Sequence, residues 1–295
     1  MNFSANWRSI FSEKLTANFS FGYDHYDYRN DESVEEAAAA RLSFAINQWF
    51  GKADFSYKLD NNHTLNFGLM SQFYNINSGT YEPLYESSLV KWDQLQKDKA
   101  LESAIYIGDQ WEITPKLSVN AGIRYSMFNL LGPRTYYTYQ DGMLPSSTTV
   151  VDSVSVGGGK VVKTYQGPEF RLSARYAFND DFSVKAGFNT MRQYIHKVSN
   201  TTIMSPTDTW KLSDTNIKPQ NGWQLAAGAY YNTPGQVLEL SVEGYYKKLN
   251  DYLDYRSSAR LIMNHHLETD VINTEGYAYG LSLIHISEPT RRVVI

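Results

Sequence analysis

The chain has 295 residues, 42% of them hydrophobic, a formal net charge of -4 and no cysteine. The missing cysteines exclude a disulfide framework and thiolate metal sites, and the charge offers no basic footprint for nucleic acid. No run of about 18 apolar residues occurs, which excludes a transmembrane helix but not membrane strands, whose alternation escapes hydropathy windows.

The elements follow a period of two, the mark of extended backbone with alternate side chains on opposite faces. The first arm is Met1–Phe11, with Phe3, Ala5, Trp7 and Phe11 on one face, and Ser12-Glu13-Lys14 turns it. The second arm starts at Leu15, continues through Ala17, Phe19, Phe21 and Tyr23, and runs into a polar, Tyr-rich DHYDYRNDES. Val34–Ala40 can form a helical turn, too short for independent stability. Arg41–Leu59 forms the third arm, with a bulge expected at Gly51 and a turn at Asp60–His63. The return arm holds Leu65, Phe67 and Leu69, and a long polar stretch follows from about Asn75 to Lys99.

The clearest hairpin runs from Ala104 to Asn129. In its second arm Leu117, Val119, Ala121, Ile123, Tyr125 and Met127 share one face, while Ser118, Asn120, Gly122, Arg124 and Ser126 share the other. Beyond Asn129 a long non-strand region is expected up to about Gln166, containing Tyr136, Tyr137, Tyr139 and Gly157–Gly159. Phe170, Leu172, Ala174 and Tyr176 then oppose Arg171, Ser173 and Arg175, with a turn at Asn179-Asp180-Asp181. Phe182, Val184, Ala186 and Phe188 oppose Ser183, Lys185, Gly187 and Asn189. A second long segment spans about Tyr194 to Gln220. Trp223, Leu225, Ala227 and Ala229 begin the next hairpin, turned at Thr233-Pro234-Gly235. Leu238, Leu240 and Val242 return against Glu239, Ser241 and Glu243, and a polar segment leads to a final arm near Thr274–Gly280.

Short turns near residues 13, 61, 115, 180 and 234 alternate with long polar loops near 33, 88, 148, 207 and 261. All short turns then lie at one rim and all long loops at the other, the asymmetry of outer-membrane barrels. The fold class is therefore all-β: an antiparallel meander of about eleven strands forming an incomplete, open transmembrane β-barrel. The 15% aromatic content, with 23 Tyr, suits interfacial girdles.

The face assignment follows. Leu117, Val119, Ala121, Ile123, Phe170, Leu172, Ala174, Val184, Phe188, Leu238, Leu240 and Val242 are read as lipid-facing. Asn120, Arg124, Arg171, Arg175, Lys185, Glu239 and Glu243 are read as lumen-facing. An Arg or Lys on the lipid face at mid-bilayer would cost about 2–4 kcal/mol. Asp109 shares parity with Ile105, Ile107 and Trp111, so a bulge or a rim position is expected there.

Several stretches resemble the barrel of TonB-dependent outer-membrane receptors. AIYIGDQWEITPKLSVNAGIRYSMFN is similar to a hairpin that recurs in those barrels. GPEFRLSARYAFNDDFSVKAGFNTMRQYIHKVSN resembles the next strand pair, including the Arg192-Gln193-Tyr194 ending. SPTDTWKLSDTNIKPQNGWQLAAG resembles the family's loop-to-strand passage at Lys218-Pro219-Gln220, and Gly276–Gly280 resembles the start of a further strand. The resemblance implies a receptor of a Gram-negative outer membrane that imports a nutrient, such as a siderophore or glycan, with energy coupling. It implies no enzymatic activity and no cofactor. It implies as partners outer-membrane lipid, a plug domain, the remaining barrel strands, the TonB complex and a surface lipoprotein. Neither a plug nor a TonB-contacting segment is read in the chain, so import is expected of the intact receptor.

MNFSANWRSIF lacks the regions of a signal peptide, so Met1 is expected to be internal to a longer protein. Residues 1–280 are read as barrel. Residues 281–295, beginning LSLIHISEPTR, resemble the translation of a sequencing adaptor and are expected to be non-native.

Candidate sites are few. His265-His266 with Glu268 and Asp270 could bind a metal, but adjacent histidines without a third ligand at known spacing favour a solvated loop. Gly157–Gly159 before Lys160 lacks phosphate-loop spacing and context, and no G-x-S-x-G occurs. Loop aromatics Tyr136, Tyr137, Tyr139, Trp92 and Trp210 are the candidates for stacking on a ligand, or for rim anchoring. Two rivals stay open: a non-transporting barrel for surface binding or adhesion, and a soluble extracellular β binding module.

Overall fold

A computed structural model describes residues 1–199, 209–233, 238–257 and 259–287. The strands in chain order are β1 (Asn2–Ile10), β2 (Leu15–Glu32), β3 (Ala40–Lys58), β4 (His63–Pro83), β5 (Asp93–Gln94), β6 (Asp98–Thr114), β7 (Leu117–Leu131) and β8 (Arg134–Tyr139). There follow β9 (Val150–Val156), β10 (Val161–Ala177), β11 (Phe182–Gln193), β12 (Ile195–Val198), β13 (Thr209–Leu212), β14 (Gln220–Asn232), β15 (Leu238–Tyr255) and β16 (Val271–Ser287).

Eleven of them form one antiparallel meander in the order β1-β2-β3-β4-β6-β7-β10-β11-β14-β15-β16. Every ladder partner is the neighbour along this path, except that the two-residue β5 also pairs with β4. Among the described residues β1 and β16 each pair on one side only, and the sheet is not closed. Several strands are longer than the roughly 9–11 residues that cross a bilayer, β4 reaching 21.

The short turns share one device. A side-chain oxygen at the strand's end accepts hydrogen bonds from two amides of the turn, which reverses the chain locally. Ser12 Oγ accepts from the amides of Lys14 and Leu15 at 3.3 and 3.1 Å. Asp60 Oδ1 accepts from Asn62 and His63 at 2.7 and 2.9 Å. Thr114 Oγ1 accepts from Lys116 and Leu117 at 3.2 and 3.0 Å. Asn179 Oδ1 accepts from Asp181 and Phe182 at 3.0 and 2.7 Å. At the last turn Thr233 Oγ1 accepts from Leu238 at 2.9 Å, while Pro234 and Gly235 lie outside the described residues.

The long connections are more structured than their composition suggests. The region beyond Asn129 carries a hairpin, β8 against β9, and β10 already begins at Val161. The segment after Tyr194 carries a second hairpin, β12 against β13, though its tip near residue 207 lies outside the described residues. The stretch after Asn75 stays in β4 as far as Pro83. Val34–Ala40 contains one 3-10 turn, Glu36–Ala38.

Gly51 is not a bulge. It pairs in register with Phe21 and Ser71, and the irregularity falls instead on β4, where Ser78 and Gly79 together stand opposite the buried Phe44. β16 continues past Gly280, pairing Leu281–Ser287 with 238–244 of β15. Residues 288–295 lie outside the described ones.

The buried core sits at the long-loop end, against one face of the sheet. Tyr74, Ile76, Ala100, Phe128, Leu130, Tyr194 and Leu212 form one cluster. The Phe128 and Tyr194 rings stack at 4.8 Å and 7°. Val198, Ile217, Leu253, Leu261, Leu267 and Val271 form a second. Phe128 is fully buried, so Phe128→Ala should lower stability by about 3–5 kcal/mol, read as a shift in the urea midpoint for unfolding of the loop end.

Candidate functional site

The face on which the loops fold is called inner here, and its reverse outer. Within each unbroken stretch of ladder, parity assigns a strand residue to one or the other. On β7 the inner row is Ser118, Asn120, Gly122, Arg124, Ser126, Phe128 and Leu130, the last two beneath the loops. Register carries the rows across the wall: Phe170 faces Ile123, Leu172 faces Ala121 and Ala174 faces Val119. Leu172 in turn faces Phe188, and Tyr176 faces Val184. Val242 faces Ala229, and Leu240 faces Tyr231. Leu117 and Leu238 belong to this same outer face by register.

Large apolar side chains stand exposed along that face. Ile105 is 65%, Leu172 51% and Leu225 53% exposed. Asp109 is among them, without a bulge: it pairs in register with Leu65 and Ala121. His63, the first residue of β4, supplies what makes it tolerable. Its Nδ1 lies 2.6 Å from Asp109 Oδ2, and its ring stacks on Trp111 at 5.2 Å. The expected bulge is absent, and the charge sits opposite Ala121, where His63 reaches it from the start of β4.

The inner face is polar and mostly self-neutralised. Arg124 lies 3.3 Å from Glu102 and 3.7 Å from Glu169, and Tyr74 donates to Glu102 at 3.0 Å. Lys52 pairs with Asp54 at 2.8 Å. Lys185 sits 4.4 Å over the Tyr230 ring, whose hydroxyl donates to Glu243. Arg171, Arg175 and Glu239 are exposed.

Above this wall the loops form a cap fastened by four charges, of which Asp98 and Asp214 are buried. Asp98 is 0% exposed. It accepts from Arg134 of β8 and from Lys211 of β13, the latter at 3.0 Å to both oxygens. Asp214 closes the ring, 2.8 Å from Arg134 and 3.3 Å from Lys211. Two cations and two anions balance, which is the condition for burying charge. Burial alone would lower the Arg134 pKa, but Asp98 and Asp214 together hold it above its ordinary value. Asp214 Oδ1 also accepts from the amides of Asn216 and Ile217 at 2.9 Å.

Beside this ring lies a small cleft of about 60 Å³. It brings together Tyr136, Tyr137 and Trp210 with His265 and Glu268. These three of the sequence-derived aromatics therefore meet. Tyr139 stands just outside, donating to Glu268 at 2.8 Å, and burial with that carboxylate raises its pKa. Trp92 is elsewhere and exposed. Trp210 is not a free loop aromatic, because it packs against the core cluster.

The His265-His266 pair splits. His265 faces Asp93 at 3.0 Å and His266 packs on Tyr137 at 5.1 Å. Among the described residues no group of three potential ligands gathers around a metal position. Asp98, Arg134, Lys211 and Asp214 were invisible to sequence reasoning: Asp98 and Lys211 are separated by 113 positions.

Asp98→Ala should cost about 3–5 kcal/mol by leaving two cations with one anion, and should speed tryptic cleavage at Lys160 in the β9–β10 turn. His196 gives a pH test. Burial pushes its pKa down to about 4, with its Nε2 2.9 Å from Ser213 Oγ. A histidine neutral when folded binds protons more readily when unfolded, so stability falls as pH drops from about 6.5 toward 4, by up to about 3 kcal/mol. Cap stability measured by hydrogen exchange should show that slope, and His196→Gln should flatten it.

A family model described as TonB dependent receptor-like, beta-barrel, matches residues 2–281. No curated protein matches the chain in sequence. Among solved structures, the copper transporter OprC is similar at 12% identity and a TM-score of 0.68, over 98% of this chain and 45% of that one. The FrpB iron transporter from Neisseria meningitidis (F3-3 variant) is similar at 13% identity and 0.61, over 98% and 41%. The ferripyoverdine receptor of the outer membrane of Pseudomonas aeruginosa is similar at 13% identity and 0.61, over 97% and 38%. The chain thus spans less than half the length of these structures, following their fold throughout. With the family model covering nearly all of it, the chain belongs to the TonB-dependent receptor β-barrel family.

Proposed function

We propose that this chain is part of the wall and loop cap of a Gram-negative outer-membrane receptor. The intact receptor imports a nutrient, such as a siderophore or glycan, with energy drawn through the TonB complex. Outer-membrane lipid covers the outer face, including Leu117, Val119, Ala121, Ile123, Phe170, Leu172, Ala174, Val184, Phe188, Leu238, Leu240 and Val242. Asn120, Arg124, Arg171, Arg175, Lys185, Glu239 and Glu243 face the lumen. Further strands and a plug from the intact receptor complete the barrel, and a surface lipoprotein is a candidate partner at the loops. The reading assigns the chain no enzymatic step. Tyr136, Tyr137 and Trp210 are the cap residues placed to meet incoming ligand, with Tyr139 positioning Glu268 beside them.

The observation that carries this reading is the outer face. In water, each exposed Leu, Ile or Phe there would forfeit about 1.5–3 kcal/mol of burial, and a patch of this extent has no place on a soluble monomer. Its height also fits. Leu117 to Met127 is ten residue steps, which at about 3.4 Å each and about 40° of tilt rise about 26 Å, against an apolar band of about 25 Å. On β2 the band ends at Tyr23, after which His25, Asp27, Arg29 and Asp31 follow on the same face.

Arginine scanning of the full-length receptor in outer membranes tests the assignment. Ile123→Arg, mid-band, should lower the folded, inserted fraction by the equivalent of about 2–4 kcal/mol. Val119→Arg, two residues from the turn, should do less, and Asn120→Arg should leave insertion near the wild-type yield. The readout is heat-modifiable mobility of unboiled membrane fractions. Equal losses at Ile123 and Asn120 would contradict the two faces. Uptake that persists without TonB would favour the surface-binding barrel instead.

A further inference from the structure

The outer face is not uniformly bulky. Over much of it large side chains stand clear of the wall, as Ile105, Ile107, Leu172 and Leu225 do. One level in the short-turn half breaks that pattern. Ala174 faces Ala186, Ala186 faces Ala227 and Ala227 faces Gly244, a row across β10, β11, β14 and β15. The row above it is Leu172, Phe188, Leu225 and Tyr246, and the row below is Tyr176, Val184, Ala229 and Val242. Alanine and glycine are poor strand residues. Here they floor a hollow of about 600 Å³ on the outer face. Lys185 is the one charged residue on its margin, and its ammonium lies on the inner side, 4.4 Å over the Tyr230 ring. The floor belongs to strands that each pair on both sides, so it does not depend on either end of the sheet.

A gap in a wall surrounded by lipid forfeits the dispersion contacts of the atoms that line it, so something fills it. Three strand spacings make the row about 14 Å long, close to the hydrocarbon depth of one leaflet, half of about 30 Å. The hollow opens downward at Ala229, between Val184 and Val242, toward Tyr231 and Phe182, which face each other near the short turns. Aromatic side chains at that level mark the boundary between hydrocarbon and headgroups. A second barrel does not fit the hollow, because two walls that both bulge outward meet ridge to ridge. A protein segment held in lipid is fixed in place by polar side chains, and this floor offers none.

We propose that the hollow is a lipid-binding site, in which one phospholipid of the leaflet at the short-turn side lays an acyl chain along the row from Ala174 to Gly244, entering at Ala229. The assignment rests on the receptor reading above. It concerns one held lipid, distinct from the exchanging lipid that wets the rest of the band.

The test uses the full-length receptor in vesicles of phosphatidylethanolamine and phosphatidylglycerol, with a trace of phosphatidylethanolamine carrying a diazirine in mid-chain. After irradiation, label per residue should be about fivefold higher on the β14 peptide holding Ala227 and Ala229 than on the β6 peptide holding Ile105 and Ile107, equivalent to about 1 kcal/mol of preference. Ala186→Leu with Ala227→Leu fills the floor while keeping it apolar, and should remove the excess. Ile107→Phe, outside the hollow, should leave it unchanged. If the double variant does not fold, Ala229→Val alone, which narrows the mouth, carries the same prediction. Even label on the two peptides, or an excess that survives the filling, overturns the assignment. So does a receptor-to-receptor crosslink from a benzophenone amino acid at Ala227, which would make a second copy the occupant. The two readings fail separately. A receptor that does not fractionate with outer membrane and lacks heat-modifiable mobility sinks the receptor reading, whereas a folded, inserted receptor with even label sinks only this one.

Discussion

The antiparallel ladder is the constraint from which the rest follows. A strand placed in lipid has no water to satisfy its amides and carbonyls, so each must find a partner on a neighbouring strand. The meander meets that demand for every strand between β1 and β16, which pair on one side only among the described residues. Once the backbone is spoken for, side chains are free to answer two different media. A single-residue slip in any ladder would exchange the faces of that strand, which is why the turns must be exact in length. The Ser12, Asp60, Thr114 and Asn179 oxygens, each bound to two turn amides, hold that length without needing glycine.

The loop end obeys a different balance. There the inner face stops being polar: Phe128 and Leu130 take the positions that Asn120 and Arg124 take lower down. They are covered by Tyr194 and Leu212 from the β11–β14 connection. Apolar burial supplies the stability of this cap, at about 25 cal/mol per Å². The Asp98–Arg134–Lys211–Asp214 ring cannot be credited with the same, because desolvating charges offsets most of their attraction. What it contributes is specificity. Only one docking of β8 and β13 on β6 leaves all four charges neutralised, and any other leaves one buried and alone.

Much of this was legible in the sequence, for a physical reason. Alternation in arms such as Leu117–Met127 is imposed by the two media, so it shows in every spanning strand. Turn lengths show because turns are local. The strand count, the hairpin pairing and the two faces could all be read this way. The loops could not. Tyr136 and Tyr137 were found as aromatics, but nothing local told that Trp210, more than seventy positions on, would close the same cleft. Arg134 and Asp214 are joined across 80 positions. One local signal was available and passed over: the inner parity of β7 turns apolar at Phe128 and Leu130, which marks where the wall goes under the cap. Gly51 misled only as to place: glycine in a strand suggests a bulge, and the extra residue of this ladder lies on β4, where Ser78 and Gly79 together oppose Phe44.

Asp109 shows how far the two-face rule bends. A carboxylate among Ile105, Ile107 and Trp111 contradicts the outer face by parity, and the register there is unbroken. Pairing eases it. The penalty for charge on the lipid face is smaller for acids than for bases. Asp109 faces Ala121, within the apolar band, and His63 at the start of β4 reaches it there. The His63 ring supplies a hydrogen-bond partner to one carboxylate oxygen at 2.6 Å and stacks on Trp111. The outer face is therefore not a rule about residue type. It is a rule about what remains unsatisfied once each polar group has taken the partner its position allows, and the inner wall obeys the same rule in water.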